Sequence, residues 1–262
     1  MTELDKGIHV AGQGPAIVML HSSLSSAKQW LPLVHDLKNH YKIINIDMLG
    51  YGDAPRVLDS KSYNFSVELL RIKAALKQII PHEPYHIVGH SCGGAVALKL
   101  AVEDPTNVLS LSLYEPVAFH LLVPKSKEWI EAHQFAKSLE LEDLYVAAEK
   151  FTDYWNEKGF FRKLPKRIQP LLANEMTKVH LDFIGLTSET YGSKEINKIT
   201  SPVLMMTGRN SPKLSLHLAK LICSYLNNVH EVNFNTGHMG PITCADVIQR
   251  EIAKFIKTEH VV

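Results

Sequence analysis

Apolar and polar positions along this chain follow two alternating rhythms. Short stretches rich in apolar and β-branched residues at 16–20, 43–46, 85–88, 109–114, 202–207 and 231–234 read as strands, with one more around 8–10. Between them the spacing becomes helical. Ala27, Trp30, Leu31, Val34 and Leu37 share one face, with Ser26 as the cap and Gln29 closing a capping box. Leu69, Ile72, Leu76 and Ile79 form a second face that Ser66 opens and Pro81 closes. Residues 92–102, 214–226 and 243–256 complete the helical series. Regular strand–helix alternation predicts an α/β fold, with a mostly parallel central sheet covered by helices on both faces.

One region breaks the alternation. Between Pro116 and Ile199 the chain runs far longer than a crossover requires, and its apolar residues keep helical spacing. Leu141, Leu144, Tyr145, Ala148, Phe151 and Trp155 fall on one face, as do Leu164, Ile168, Leu171, Leu172, Met176 and Val179. The expectation is a core made of 1–116 and 199–262, with 117–198 inserted as an all-helical cap over it. Arg162, Lys163, Lys166 and Arg167 make the insertion locally basic, which suits a solvated face or an anionic substrate.

Composition narrows the classes. With 262 residues, 45% hydrophobic and 21% charged, the chain can bury one large core, and a net charge of +1 gives no reason to invoke nucleic acid. No apolar run approaches the roughly 18 residues of a membrane span, and no leader pattern opens the sequence, so a cytoplasmic location is the default expectation. Cys92, Cys223 and Cys244 are odd in number and scattered, as reduced thiols are. The 14 histidines include no zinc-type spacing, so neither a metal nor another cofactor is expected.

The chemistry concentrates where strands end. Gly89-His90-Ser91-Cys92-Gly93 places a serine between glycines, after an apolar strand and before a helix. Missing Cβ atoms at 89 and 93 permit a tight turn that leaves the Ser91 hydroxyl exposed. A turn serine would satisfy the same pattern, so context decides. His21-Ser22-Ser23, Asp47 to Gly52, and Gly237-His238 also follow strands, and in a parallel sheet such segments can converge on one crevice.

With these motifs the chain resembles the α/β-hydrolase superfamily over nearly its whole length. The resemblance implies Ser91 as nucleophile and His238 as general base. It also implies two backbone donors for an oxyanion, Cys92 and Ser23, although His21-Ser22 stands where the family usually has His-Gly. Ser22 and Leu24 therefore remain alternatives for the second donor. The family's first strand is expected to be short or absent. Aspartate at position 91 would mark epoxide hydrolases or haloalkane dehalogenases, and its absence points to acyl transfer on a small carboxylic ester or thioester. Carbon–carbon bond hydrolysis, perhydrolase and acyltransferase chemistry use the same triad. A non-catalytic ligand-binding relative is the alternative from another class. A small-molecule substrate is implied in each case, and oligomeric state is open.

The acid that should orient His238 departs from the family pattern. Most relatives carry aspartate three residues after the glycine ending the penultimate strand, whereas here Gly208 leads to Ser211. Glu115, at the carboxyl end of 109–114, is the best candidate and keeps the chain order Ser, acid, His. Haloalkane dehalogenases and pancreatic-type lipases include members with the acid after this earlier strand. The competing roles for Glu115 are an ion pair with Arg209 or a hydrogen bond to the cap. Asp47 and Asp53 read as turn formers.

Overall fold

In the computed structural model, which describes residues 6–139 and 143–259, seven strands form one sheet. They are β1 (Ile8–Ala11), β2 (Ala16–Leu20), β3 (Lys42–Ile46), β4 (Tyr85–His90), β5 (Val108–Tyr114), β6 (Val203–Gly208) and β7 (Val229–Phe234). Their spatial order is β1-β3-β2-β4-β5-β6-β7; β1 runs antiparallel to β3 and the other pairs are parallel. β2 and β4 are buried at every residue, which is why they read as continuous apolar runs rather than alternating ones. β7, at the edge, alternates between half-buried and exposed positions.

Helices α1 (Leu31–Leu37), α2 (Phe65–Ile79) and α3 (Ser91–Glu103) lie between the early strands. Five more, α4 (Lys127–Ser138), α5 (Leu144–Trp155), α6 (Phe160–Lys163), α7 (Gln169–Ser188) and α8 (Ser193–Ile196), separate β5 from β6. Then come α9 (Lys213–Cys223), α10 (Gly240–Thr243) and α11 (Ala245–Glu259). Two apolar layers result. Trp30, Leu33 and Leu37 pack with Ile248, Ile252 and Ile256 on one face of the sheet, and α2, α3 and the insertion fill the other. Within the insertion an aromatic cluster replaces strand pairing as the organiser: Phe135 stacks on Tyr154 at 4.2 Å, and Phe119 on Phe183 at 5.6 Å.

Several local expectations require correction. Ser26 caps a 3-10 turn, Ala27–Trp30, and Gln29 makes no capping box. Its amide oxygen instead accepts from the Ser22 N–H and hydroxyl, at 3.2 and 3.1 Å. Asn64, not Ser66, caps α2, because its side chain accepts from the Ser66 N–H at 2.8 Å. The last helical stretch breaks at Cys244 into α10 and α11. Leu164 and Ile168 precede α7 rather than lying within it. Leu141 lies outside the described residues.

Candidate active site

The turn from β4 into α3 is built by close approach. A Cβ on Gly93 would stand 2.2 Å from the His21 carbonyl oxygen, and one on Gly89 would stand 2.7 Å from the Ala97 Cβ. These glycines let the Ser91 turn sit against the end of β2, which brings the 21–24 segment to the same cavity as Ser91. Ser91 itself takes φ +55°, a left-handed conformation that non-glycine residues rarely adopt and that costs about 1–3 kcal/mol. Its carbonyl accepts from the Val117 N–H at 3.3 Å, tying the turn to the segment after β5.

Ser91, His238 and Glu115 are brought together although they follow three different strands, Ser91 at the start of α3 and the other two on the loops after β7 and β5. Ser91 Oγ is 2.9 Å from His238 Nε2, and His238 Nδ1 is 2.6 Å from Glu115 Oε2. Glu115 is fully buried and has φ +42°, a second strained position. Its other contacts are the Gly208 N–H at 2.7 Å and the Ser215 hydroxyl at 2.9 Å. Burial alone would raise this carboxyl, but His238 and the Gly208 N–H outweigh it and hold Glu115 below the usual carboxylate range. An ionised carboxylate only accepts, so His238 must donate from Nδ1. Nε2 is then left to accept the Ser91 proton. Arg209 is turned away and donates to Asn233 at 2.9 Å, so it makes no ion pair with Glu115.

His238 is held on several sides. Its carbonyl accepts from His90 Nε2 at 2.8 Å, and Tyr114 donates to the neighbouring Gly237 carbonyl at 2.8 Å. Burial, reinforced by the nearness of His238, pushes His90 well below its ordinary pKa, so His90 stays neutral beside it. From the insertion, Trp155 lays its ring on His238 with centroids 4.2 Å apart. Trp155 was legible as part of an apolar helical face but not as a contact of His238.

Ser22, Ser23 and Leu24 line the same cavity as Ser91 and His238. Cys92, the residue after Ser91, is buried, and burial pushes its thiol pKa up. The cavity holds about 220 Å³. Its other walls are Phe151, Thr152, Trp155, Asn156, Phe160, Leu164 and Leu172 from the insertion, with Met239, Ile242 and Thr243 below. None of these is a lysine, arginine or carboxylate.

Away from this cavity, His9, Asp47 and Asp53 are the one group among the described residues whose ligand atoms could meet on a metal ion. Both Asp47 oxygens are already engaged. They accept from the Ala27 N–H at 2.6 Å and the Asp53 N–H at 2.9 Å, which closes the turn after β3. All three cysteines are free, and among the described residues no helix is long and apolar enough to cross a membrane.

Comparison with known proteins agrees with this architecture. The family model described as alpha/beta hydrolase fold matches residues 15–243. Monoacylglycerol lipase abhd6-B of Xenopus laevis is 26% identical over 242 residues, covering 87% of this chain and 71% of that one. A pimeloyl-[acyl-carrier protein] methyl ester esterase of Legionella pneumophila (strain Paris) is 23% identical over 261 residues, covering 94% and 97%. Among solved structures, the alpha/beta hydrolase enzyme MGS-M2, from a Medee basin deep-sea metagenome library, superposes with TM-score 0.78. It is 18% identical and covers 98% of this chain and 96% of that one.

Proposed function

The chain belongs to the alpha/beta hydrolase fold family, and from that premise we propose that it is a serine hydrolase acting by acyl transfer on small, uncharged carboxylic esters or thioesters. The observation that carries the reading is the hydrogen-bonded chain Ser91–His238–Glu115 at the floor of an apolar cavity. Ser91 Oγ attacks the carbonyl carbon while His238 Nε2 takes its proton. The resulting oxyanion is held by the N–H groups of Cys92, at the start of α3, and of Ser23. His238 then protonates the leaving alkoxide or thiolate. Water, deprotonated by the same nitrogen, releases the acid from the acyl-enzyme. Glu115 fixes the imidazole tautomer and balances the imidazolium formed in each half-reaction.

The walls set the substrate class. An anionic substrate would need a cation in so dry a site, and the cavity walls offer none. A volume of about 220 Å³ is below the roughly 300–1,000 Å³ typical of pockets for drug-sized ligands, which favours a short acyl or alcohol part. Residues 117–198 serve in this reading as a cap that closes the site and sets chain-length preference. The lipase and esterase names of the relatives point the same way. Carbon–carbon bond cleavage uses the same machinery, but no feature of the cavity favours it.

The test is hydrolysis of p-nitrophenyl esters of increasing chain length, together with labelling by a fluorophosphonate probe. Wild type is expected to cleave short esters best and to label covalently. Ser91→Ala is expected to do neither while melting like wild type, because the side chain projects from a turn and supports no packing. Turnover by Ser91→Ala at wild-type rates would remove the nucleophile assignment.

A further inference from the structure

A second polar cluster is buried behind Ser23, and its centre belongs to the insertion. Asp182, on α7, has no exposed surface. One carboxylate oxygen accepts from the Ser23 hydroxyl and from the Tyr51 hydroxyl, both at 2.6 Å. The other accepts from Lys178, one turn earlier on the same helix. Lys178 also approaches Glu68 Oε1 at 3.4 Å and sits over the rings of Tyr51 and Tyr63, each at 4.9 Å.

This arrangement has an electrostatic oddity. A carboxylate beside the place where an oxyanion develops opposes that charge, so Asp182 would slow acyl transfer unless it did something that outweighs the repulsion. Lys178 neutralises part of it. What remains is the bond to Ser23, which reaches across 159 positions of sequence to the segment beside the nucleophile. That segment also needs holding. Leu24 has φ +53°, a strained conformation that persists only when its surroundings over-determine it. Gln29 fixes Ser22 from the core side, and the Asp182 bond fixes Ser23 from the insertion side.

We propose that Asp182 is a positioning residue for the oxyanion site. By holding the Ser23 hydroxyl it aims the Ser23 N–H at the reacting carbonyl oxygen, so the site is complete only when α7 is seated on the core. The inference rests on the proposed acyl-transfer reading and on Ser23 as the second donor. It makes the insertion part of the catalytic geometry as well as a wall of the pocket. A rival account makes the cluster purely a fastening between insertion and core.

Ser23→Ala separates the two, because it keeps the backbone N–H and leaves the Lys178–Asp182–Tyr51 contacts in place. Positioning predicts that kcat on a short p-nitrophenyl ester falls on the order of 10–100-fold. That is less than the roughly 10²–10³ lost when a donor is removed outright. KM should stay within about twofold, the melting temperature should be nearly unchanged, and fluorophosphonate labelling should slow by a similar factor. Asp182→Asn in the Ser23→Ala background should cost little further rate, since both changes break one link. A wild-type kcat in Ser23→Ala would overturn the proposal, as would full additivity of the two changes. If instead wild type neither labels nor cleaves any ester, the acyl-transfer reading itself fails, and that result is distinct from either of these.

Discussion

Two buried carboxylates, Glu115 and Asp182, each hold a residue that lines the Ser91 cavity, and in the proposed reading they serve opposite purposes. Glu115 shares its oxygens among a backbone N–H, a serine hydroxyl and the imidazole of His238, so its one titratable partner is the group that must gain and lose a proton. Asp182 faces Lys178, whose charge never changes in the working pH range, and two hydroxyls. Burial alone would lower the Lys178 ammonium, but Asp182 and Glu68 outweigh it and hold its pKa above the ordinary lysine value. The first network responds to chemistry, and the second holds a shape. A buried carboxylate is thus not informative by itself; its partner decides whether it serves proton transfer or architecture.

The sharpest way to break this contrast is Glu115→Gln. The glutamine amide would donate toward His238 Nδ1, forcing the ring proton onto Nε2, where it cannot accept from Ser91. A loss on the order of a thousandfold or more in kcat is expected, about 4 kcal/mol of barrier, with melting close to wild type. Adding Asp at Ser211 in that background, where most relatives carry the acid, should restore part of the rate. If Glu115→Gln turns over like wild type and melts several degrees lower, Glu115 is architectural too and the contrast collapses.

Lys178→Met tests the other side. Removing the cation leaves Asp182 and Glu68 buried without it, and breaking such a pair costs about 3 kcal/mol or more of stability. For a chain of this size that is roughly 6–12 °C in melting temperature. Thermal melts that coincide with wild type would show that the cluster carries no structural weight. The prediction differs from that for Glu115 in kind: stability falls first, and any rate change follows from displaced Ser23.

Acid should act on the buried neutral histidines before it acts on Glu115. His21, at the end of β2, donates to the Ser22 carbonyl at 2.7 Å and accepts from the Met48 N–H at 3.0 Å, an arrangement that requires the neutral ring. Burial lowers its pKa from 6.5 to about 4, and burial likewise lowers His120 to about 4. Between these values the unfolded chain holds more protons than the folded one, so stability rises with pH and is lost on acidification from about 6.5 toward 4. Each histidine contributes up to about 3 kcal/mol over that window. The depressed Glu115 acts in the same direction but lower, its contribution disappearing as pH falls through its folded value. Melting curves recorded from pH 7 to 4 should therefore fall throughout, and a flat profile down to pH 5 would contradict the buried neutral state of His21.

Much of this was legible in the sequence because strands in a parallel sheet announce both themselves and their carboxyl ends. Ser91 lies between Gly89 and Gly93 and His238 follows Gly237 at such ends, and Glu115 became the candidate by asking which strand end still offered a carboxylate with serine at 211. What was not legible depended on contacts across long stretches of chain. Gln29 looked like a capping residue because Ser26 lies three residues earlier, yet it serves Ser22 instead. Asp182 is one of two acidic residues in α7, with Glu175, and nothing in its spacing tells that Ser23 lies opposite. Ser215, within α9, drew no notice in the sequence, although its hydroxyl donates to Glu115. Side-chain hydrogen bonds leave no periodic trace, whereas packing does.

The smallest expected effect concerns the cavity wall, where neither carboxylate reaches. Leu172 and Phe160 from the insertion line the cavity with Ile242 from α10, and none of them touches Ser91 or His238 through a hydrogen bond. Enlarging the space with Leu172→Ala should shift the preferred p-nitrophenyl ester to a longer chain while leaving hydrolysis of the shortest within a few-fold of wild type. The reason is one of scale: a methylene gained or lost in an apolar pocket alters discrimination by about 1–3 kcal/mol, well short of what loss of the base's partner does. Measuring kcat/KM across the ester series for Leu172→Ala and Ser23→Ala side by side separates wall from machinery. The first should tilt the chain-length profile, and the second should lower it evenly. A uniform drop for Leu172→Ala would mean that α7 transmits the substitution to Asp182, and that wall and positioning device cannot be separated on this helix.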